Sequence, residues 1–132
     1  LPGAKQPVEG VGYACGMERL LLAREALGVK SPVDLRPQVY VVGLGAAGVK
    51  AGLGVASLLR RAGYRVIAET GERSMKAQMR AANRCEARLT VILGDNELAR
   101  GVAVVKSMAE GTQTEILLAE LVQAIAPTLS TR

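Results

Sequence analysis

"VYVVGLGAAGVKAGLGVASLLRRAGYRVIAE", Val39 to Glu69, is the stretch on which the fold turns. A β-branched run enters a loop with Gly43, Gly45 and Gly48 at G-x-G-x-x-G spacing. A helix-like segment comes next, and a second strand-like run ends at the acidic Glu69. This is the layout of a βαβ unit. It also fits a dinucleotide-binding loop, in which glycines admit a pyrophosphate and a later carboxylate accepts from a ribose hydroxyl. The same glycines serve any tight strand-to-helix turn. The chain after Glu69 is too short for a second mononucleotide half and runs into a hairpin, which favours the compact turn.

Working outward, the two periods keep alternating. Val39–Val42, Arg65–Ala68 and Leu89–Leu93 read as strands, and Val49–Arg61 and Ser74–Arg84 as helices. Such alternation predicts an α/β domain with parallel strands. The pattern then changes. "LGDNELARG" turns the chain, "VAVVKSM" and "TQTEI" read as short strands around a Glu-Gly turn, and Leu117–Ala126 reads as a last helix. The expected architecture is a three-layer α/β fold: a mixed, mostly parallel sheet of about five strands with helices on both faces.

Upstream, "VKSPVDLRPQ" carries Pro32 and Pro37, each of which disfavours helix in the residue before it. A domain boundary is expected near residue 35, separating residues 1–35 from 36–132. Within the first part, residues 1–9 read as loop. Gly10–Gly16 reads as a strand of alternating small residues, and Met17–Leu27 as a helix stopped by Gly28.

Composition narrows the chemistry. The 132 residues carry 17 Lys and Arg against 12 Asp and Glu, a net charge of +5, with no His, Phe or Trp. The excess favours an anionic partner such as nucleic acid. Without imidazole, Ser-His and Cys-His nucleophile pairs are impossible, and with them a self-contained hydrolase of that kind. Two cysteines, Cys15 and Cys85, without C-x-x-C spacing or any His, support neither a disulfide framework nor a zinc site, so no metal is expected. Reduced thiols fit the cytoplasm. No apolar run is long enough to span a membrane and no leader opens the chain, so no membrane partner is expected. The first residue is Leu rather than Met, as in a piece of a longer protein.

Two segments carry more specific signals. In "GVGYACGMERLLLA", Gly10 to Ala23, a small-residue run leads to Glu18-Arg19 at a helix start. A guanidinium placed there can bind phosphate oxygens with its planar fork, or simply pair with a neighbouring acid. In "GERSMKAQMRAANRCEARLTVILGDNELARGVAVVKSM", Gly71 to Met108, residues Arg73, Lys76, Arg80 and Arg84 are spaced to form one basic stripe. Met75, Met79 and Ala82 form an apolar stripe facing the sheet. A basic stripe is either a solvated face or a grip on phosphates.

The first segment resembles motif 3 of the class II aminoacyl-tRNA synthetases, and the second is similar to the C-terminal anticodon-binding domain of histidyl-tRNA synthetases. The resemblance covers nearly the whole chain. It implies that Arg19 contacts ATP phosphates, with Glu18 beside it, in an intact enzyme that ligates histidine to tRNA with ATP and Mg. It implies that Arg73, Ser74, Lys76 and Arg80, from the Arg-Ser-x-Lys-x-Gln run and the turn after it, line an RNA surface. Glu97, at the end of "ILGDNE", and Lys106, on the next strand, would face anticodon bases. The implied partner is the anticodon stem-loop of a tRNA, and the implied parent is a homodimer. Motifs 1 and 2 are missing, so the chain alone is not expected to activate an amino acid, and no cofactor is expected in it. Two other readings stay open: a regulatory paralogue acting by protein–protein contact, and a dinucleotide-binding domain.

Overall fold

The computed structural model describes residues 10–29 and 34–130; the loop expected over residues 1–9 and residues 30–33 of the expected linker lie outside them. The chain divides into two compact units, Leu1–Asp34 and Leu35–Arg132. In the first, α1 spans Met17–Ala26 and ends at Gly28, whose φ of +65° only a glycine adopts without strain. The expected strand over Gly10–Gly16 is absent; these residues are irregular. Alternating small residues make a strand only where a neighbour takes up its N–H and C=O groups, and the described residues of this unit hold no other extended segment.

The second unit runs β1 (Val39–Gly43), α2 (Gly45–Arg61), β2 (Val66–Ala68), α3 (Met75–Arg84), β3 (Leu89–Leu93), α4 (Asp95–Ala99), β4 (Val102–Ser107), β5 (Gln113–Leu117) and α5 (Leu121–Ser130). The sheet order is β2-β1-β3-β4-β5; β2 and β3 pair with β1 in parallel, while β4 and β5 are antiparallel. This is the expected mixed α/β sheet with helices on both faces.

β1 and β3 are buried on both faces, as parallel central strands must be when helices cover each side. On one face Val39, Val41, Leu89, Val91, Leu93, Ala103 and Val105 pack with Ala56 and Leu59 of α2 and Leu121, Ile125 and Leu129 of α5. On the other, Tyr40, Val42 and Ile92 meet Ala82 of α3, with Met79, Val104 and Met108 alongside.

The glycine loop is explained by packing. A Cβ on Gly48 would lie 2.5 Å from the Leu93 carbonyl oxygen, and one on Gly43 would lie 2.7 Å from the Val49 Cα. These glycines let α2 start immediately after β1 and lie directly on the sheet. Gly52, which by helix propensity alone is a weak point of α2, belongs to the same contact: a Cβ there would lie 3.2 Å from a Val41 methyl.

Two boundaries differ from expectation. "DNELA" is a short helix, α4, rather than a turn. The last helix starts at Leu121, after a single 3-10 turn over Leu118–Glu120, and runs through Pro127. Proline cannot donate to the preceding turn. The end of α5 is tied instead by Arg88, which donates to the Thr128 and Leu129 carbonyls at 2.7 and 3.1 Å.

Candidate nucleic-acid interface

The polar residue that organises the site is Gln78, which sequence reasoning misses. It sits on the inner side of α3 and is fully buried. Its Nε2 donates to the Gly43 carbonyl at 2.7 Å and to the Arg73 carbonyl at 2.8 Å, and its Oε1 accepts from the Gly43 N–H at 3.1 Å. One side chain thus pins α3 and the loop before it to the end of β1. Its sequence signal is position: residues 78 and 82, four apart, are the two buried residues of α3. A buried amide is tolerated only when it is hydrogen-bonded in this way.

That anchor turns the opposite side of α3 outward. Lys76, Arg80 and Arg84 are all exposed and lie one turn apart on that side. Arg73 does not belong to the helix; it precedes it. Its guanidinium pairs with Glu69 at 3.2 Å, and the same Glu69 oxygen accepts from the Tyr40 hydroxyl at 3.2 Å. Burial, reinforced by the Glu69 charge, raises the Tyr40 pKa, so the phenol stays protonated as the donor. Ser74 is the N-cap of α3, its Oγ accepting from the Ala77 N–H at 3.3 Å. The expected apolar stripe is also revised: Ala82 is buried and Met79 packs on the core, but Met75 is 39% exposed.

Lys106 lies on the α3 side of the sheet, opposite Thr90 and between it and Gln113. α3 packs on β1 and leaves β4 and β5 open on this side. Val102, Val104 and Lys106 are half-buried there, and Gln113, Glu115 and Leu117 are exposed. The result is a shallow, partly apolar floor with a lysine in it, on the same side of the sheet as α3. Arg100 grips Glu115 through two bonds of 2.7 and 2.8 Å, and this lowers the Glu115 pKa.

Glu97 is not at a strand end. It is the third residue of α4, half-buried, and its Oε2 accepts from the Gly94 N–H at 3.0 Å. It lines a hollow of about 430 Å³ with Leu44, Gly45, Gly94, Asp95 and Asn96, where the chain leaves β1 and β3. Lys106 pairs with Thr90, about 13 Å of strand before Gly94, whereas Glu97 lies beyond Gly94 in α4. The hollow stands where an open α/β sheet would bind a dinucleotide. Among the described residues, its charged lining is Asp95 and Glu97, two carboxylates that repel a pyrophosphate.

Glu18 and Arg19 lie in the first turn of α1, both exposed. Among the described residues no cluster of His, Cys, Asp or Glu could hold a metal ion, and no helix is long and apolar enough to cross a membrane.

A family model described as "Anticodon binding domain" matches residues 38–127. The chain is 41% identical over 116 residues to a histidine–tRNA ligase of Halothermothrix orenii, covering 88% of this chain and 28% of that protein. Among solved structures, histidyl-tRNA synthetase from Nostoc sp. PCC 7120 superposes with a TM-score of 0.68 at 31% identity, covering 86% of this chain and 28% of that one. The apo S. aureus histidyl-tRNA synthetase gives 0.67 at 30% identity, covering 82% and 32%. The chain therefore spans less than a third of the length of these relatives.

Proposed function

The chain belongs to the anticodon binding domain family, and from that premise we propose that it is the RNA-reading part of a histidyl-tRNA synthetase that grips a tRNA anticodon stem-loop. The observation that carries this is the outward row of Lys76, Arg80 and Arg84 on α3, on the same side of the sheet as the open floor of β4 and β5. Cations on a rigid helix hold phosphates in register, and a neighbouring surface can receive the unstacked bases of a single-stranded loop. Arg73, Lys76 and Arg80 bind the backbone. Ser74 sets the start of the helix that carries them, and Lys106 contacts a base or phosphate on the floor. Glu97 accepts from a base amino group at the far end of the sheet.

In the intact enzyme, Arg19 with Glu18 beside it serves the ATP site, Mg accompanies ATP, two copies pair, and the reaction takes place in the cytoplasm. The free thiols of Cys15 and Cys85 are compatible with that compartment. The names of the relatives support histidine as the amino acid, and the geometry of α3 and the sheet floor supports the RNA contact.

Titrating labelled anticodon stem-loops of matched and scrambled sequence into the 132-residue chain at several salt concentrations tests the reading. The matched loop binds more tightly. Arg80→Ala weakens both loops, and it lowers the salt slope by about 0.7 as one phosphate contact on a single strand is lost. Glu97→Ala narrows the gap between the loops. Equal affinity for both loops in the unmutated chain contradicts the reading.

A further inference from the structure

Glu69 ends the β2 run at the place where a dinucleotide fold keeps its ribose-binding acid, yet its carboxylate is engaged with the protein itself. Only 15% of its side chain is exposed, and one oxygen accepts from both the Tyr40 hydroxyl and the Arg73 guanidinium, each at 3.2 Å. Tyr40 is 4% exposed and fixed in the central strand β1, so it anchors the carboxylate from behind. Arg73 is thereby held at two ends: its carbonyl by the buried Gln78 and its guanidinium by Glu69. Yet 49% of the Arg73 side chain faces solvent. A guanidinium has five N–H donors, and the Glu69 contact uses one of its terminal nitrogens.

We propose that Glu69, braced by Tyr40, is a positioning residue that pre-orients Arg73 to receive an RNA phosphate; this rests on the RNA-binding reading above. A half-exposed ion pair contributes little to folding, so stability alone is a poor reason for building a three-residue relay behind it. Fixing a long, flexible arginine in advance removes part of the ordering cost that binding otherwise incurs. A lone carboxylate this close to a phosphate would act against binding. Paired with Arg73, it sets the direction of the guanidinium while remaining behind it. Glu69 thus acts through Arg73, and its influence on RNA should vanish when Arg73 is gone.

The test is a double-mutant cycle in the full chain, using the matched stem-loop, with thermal unfolding measured alongside. Arg73→Ala is expected to weaken binding about tenfold and to lower the salt slope by about 0.7. Glu69→Gln should weaken binding about threefold and lower the slope in the same sense, because Arg73 loses its aim. In the Arg73→Ala background, Glu69→Gln should leave affinity unchanged or raise it slightly as a repelling charge disappears. Tyr40→Phe should act like a milder Glu69→Gln while keeping the ring in the core. Any result in which the effect of Glu69→Gln on affinity is the same with and without Arg73 overturns the proposal, as does an Arg73→Ala variant that binds normally. Those failures leave the broader RNA reading standing. Failure of the unmutated chain to bind the stem-loop removes that reading, and this proposal with it.

Discussion

Replacing Gln78 by Met keeps the length and approximate volume of the side chain but deletes all three of its hydrogen bonds. The site is fully buried, so water cannot take over. The Gly43 N–H and C=O both lose a partner inside the protein, and the Arg73 carbonyl loses one at its edge. Orphaning two buried backbone groups costs about 1–3 kcal/mol each, and the methionine returns part of this as apolar burial. A net loss of about 2–4 kcal/mol is expected, with little cavity contribution because the volume is conserved. For a domain of this size that is a fall in Tm of about 10–30 °C. Urea unfolding followed by circular dichroism gives the free energy directly. A loss under about 1 kcal/mol, with an unchanged m-value, would mean that the Gly43 groups find other partners and that the Gln78 anchor is dispensable.

Three further outcomes are expected. Gly48→Ala places a Cβ 2.5 Å from a backbone oxygen, so α2 must lift from β3, and the urea midpoint should drop by the equivalent of about 2–3 kcal/mol; an unchanged midpoint contradicts the packing account of the glycine loop. Arg88→Ala removes the two bonds that hold the end of α5 and should speed amide hydrogen exchange there while α2 exchanges as before. Because Arg100 lowers the Glu115 pKa, whatever stability the pair contributes is present above the ordinary carboxylate value of about 4.3 and is lost as pH falls through the lowered folded value. Carboxyl titration by NMR should show the Glu115 midpoint rising in Arg100→Ala, and an unmoved midpoint refutes the pairing.

Much of the fold was legible because its signals are periodic. The β-branched runs at Val39 and Leu89, the helices between them and the hairpin after Gly101 each have a spacing that only one element satisfies. The outward basic side of α3 was legible for the same reason. Other features depend on contacts that no local window carries. Gln78 looks like a surface residue until β1 supplies its partners. Glu97 reads as a strand end because α4 is too short to show a period, and one of its carboxylate oxygens accepts from the backbone of the turn that it caps. Gly10–Gly16 alternates as a strand should, but pairing rather than alternation makes a strand. Glu69 fits a ribose-binding acid by position, and only the side chains of Tyr40 and Arg73 redirect it. The helix of Leu121–Ser130 runs through a proline that sequence rules treat as a stop, since the tie that secures its end comes from Arg88.

The most direct test is to map the stem-loop on the folded chain by monitoring backbone amide shifts as RNA is added. Perturbations should concentrate at residues 73–84 and along the α3 side of β4 and β5, including Lys106 and Gln113, with α2 and α5 silent. Shifts centred on α2 and α5, with the outer side of α3 unmoved, would place RNA on the wrong face and contradict the account.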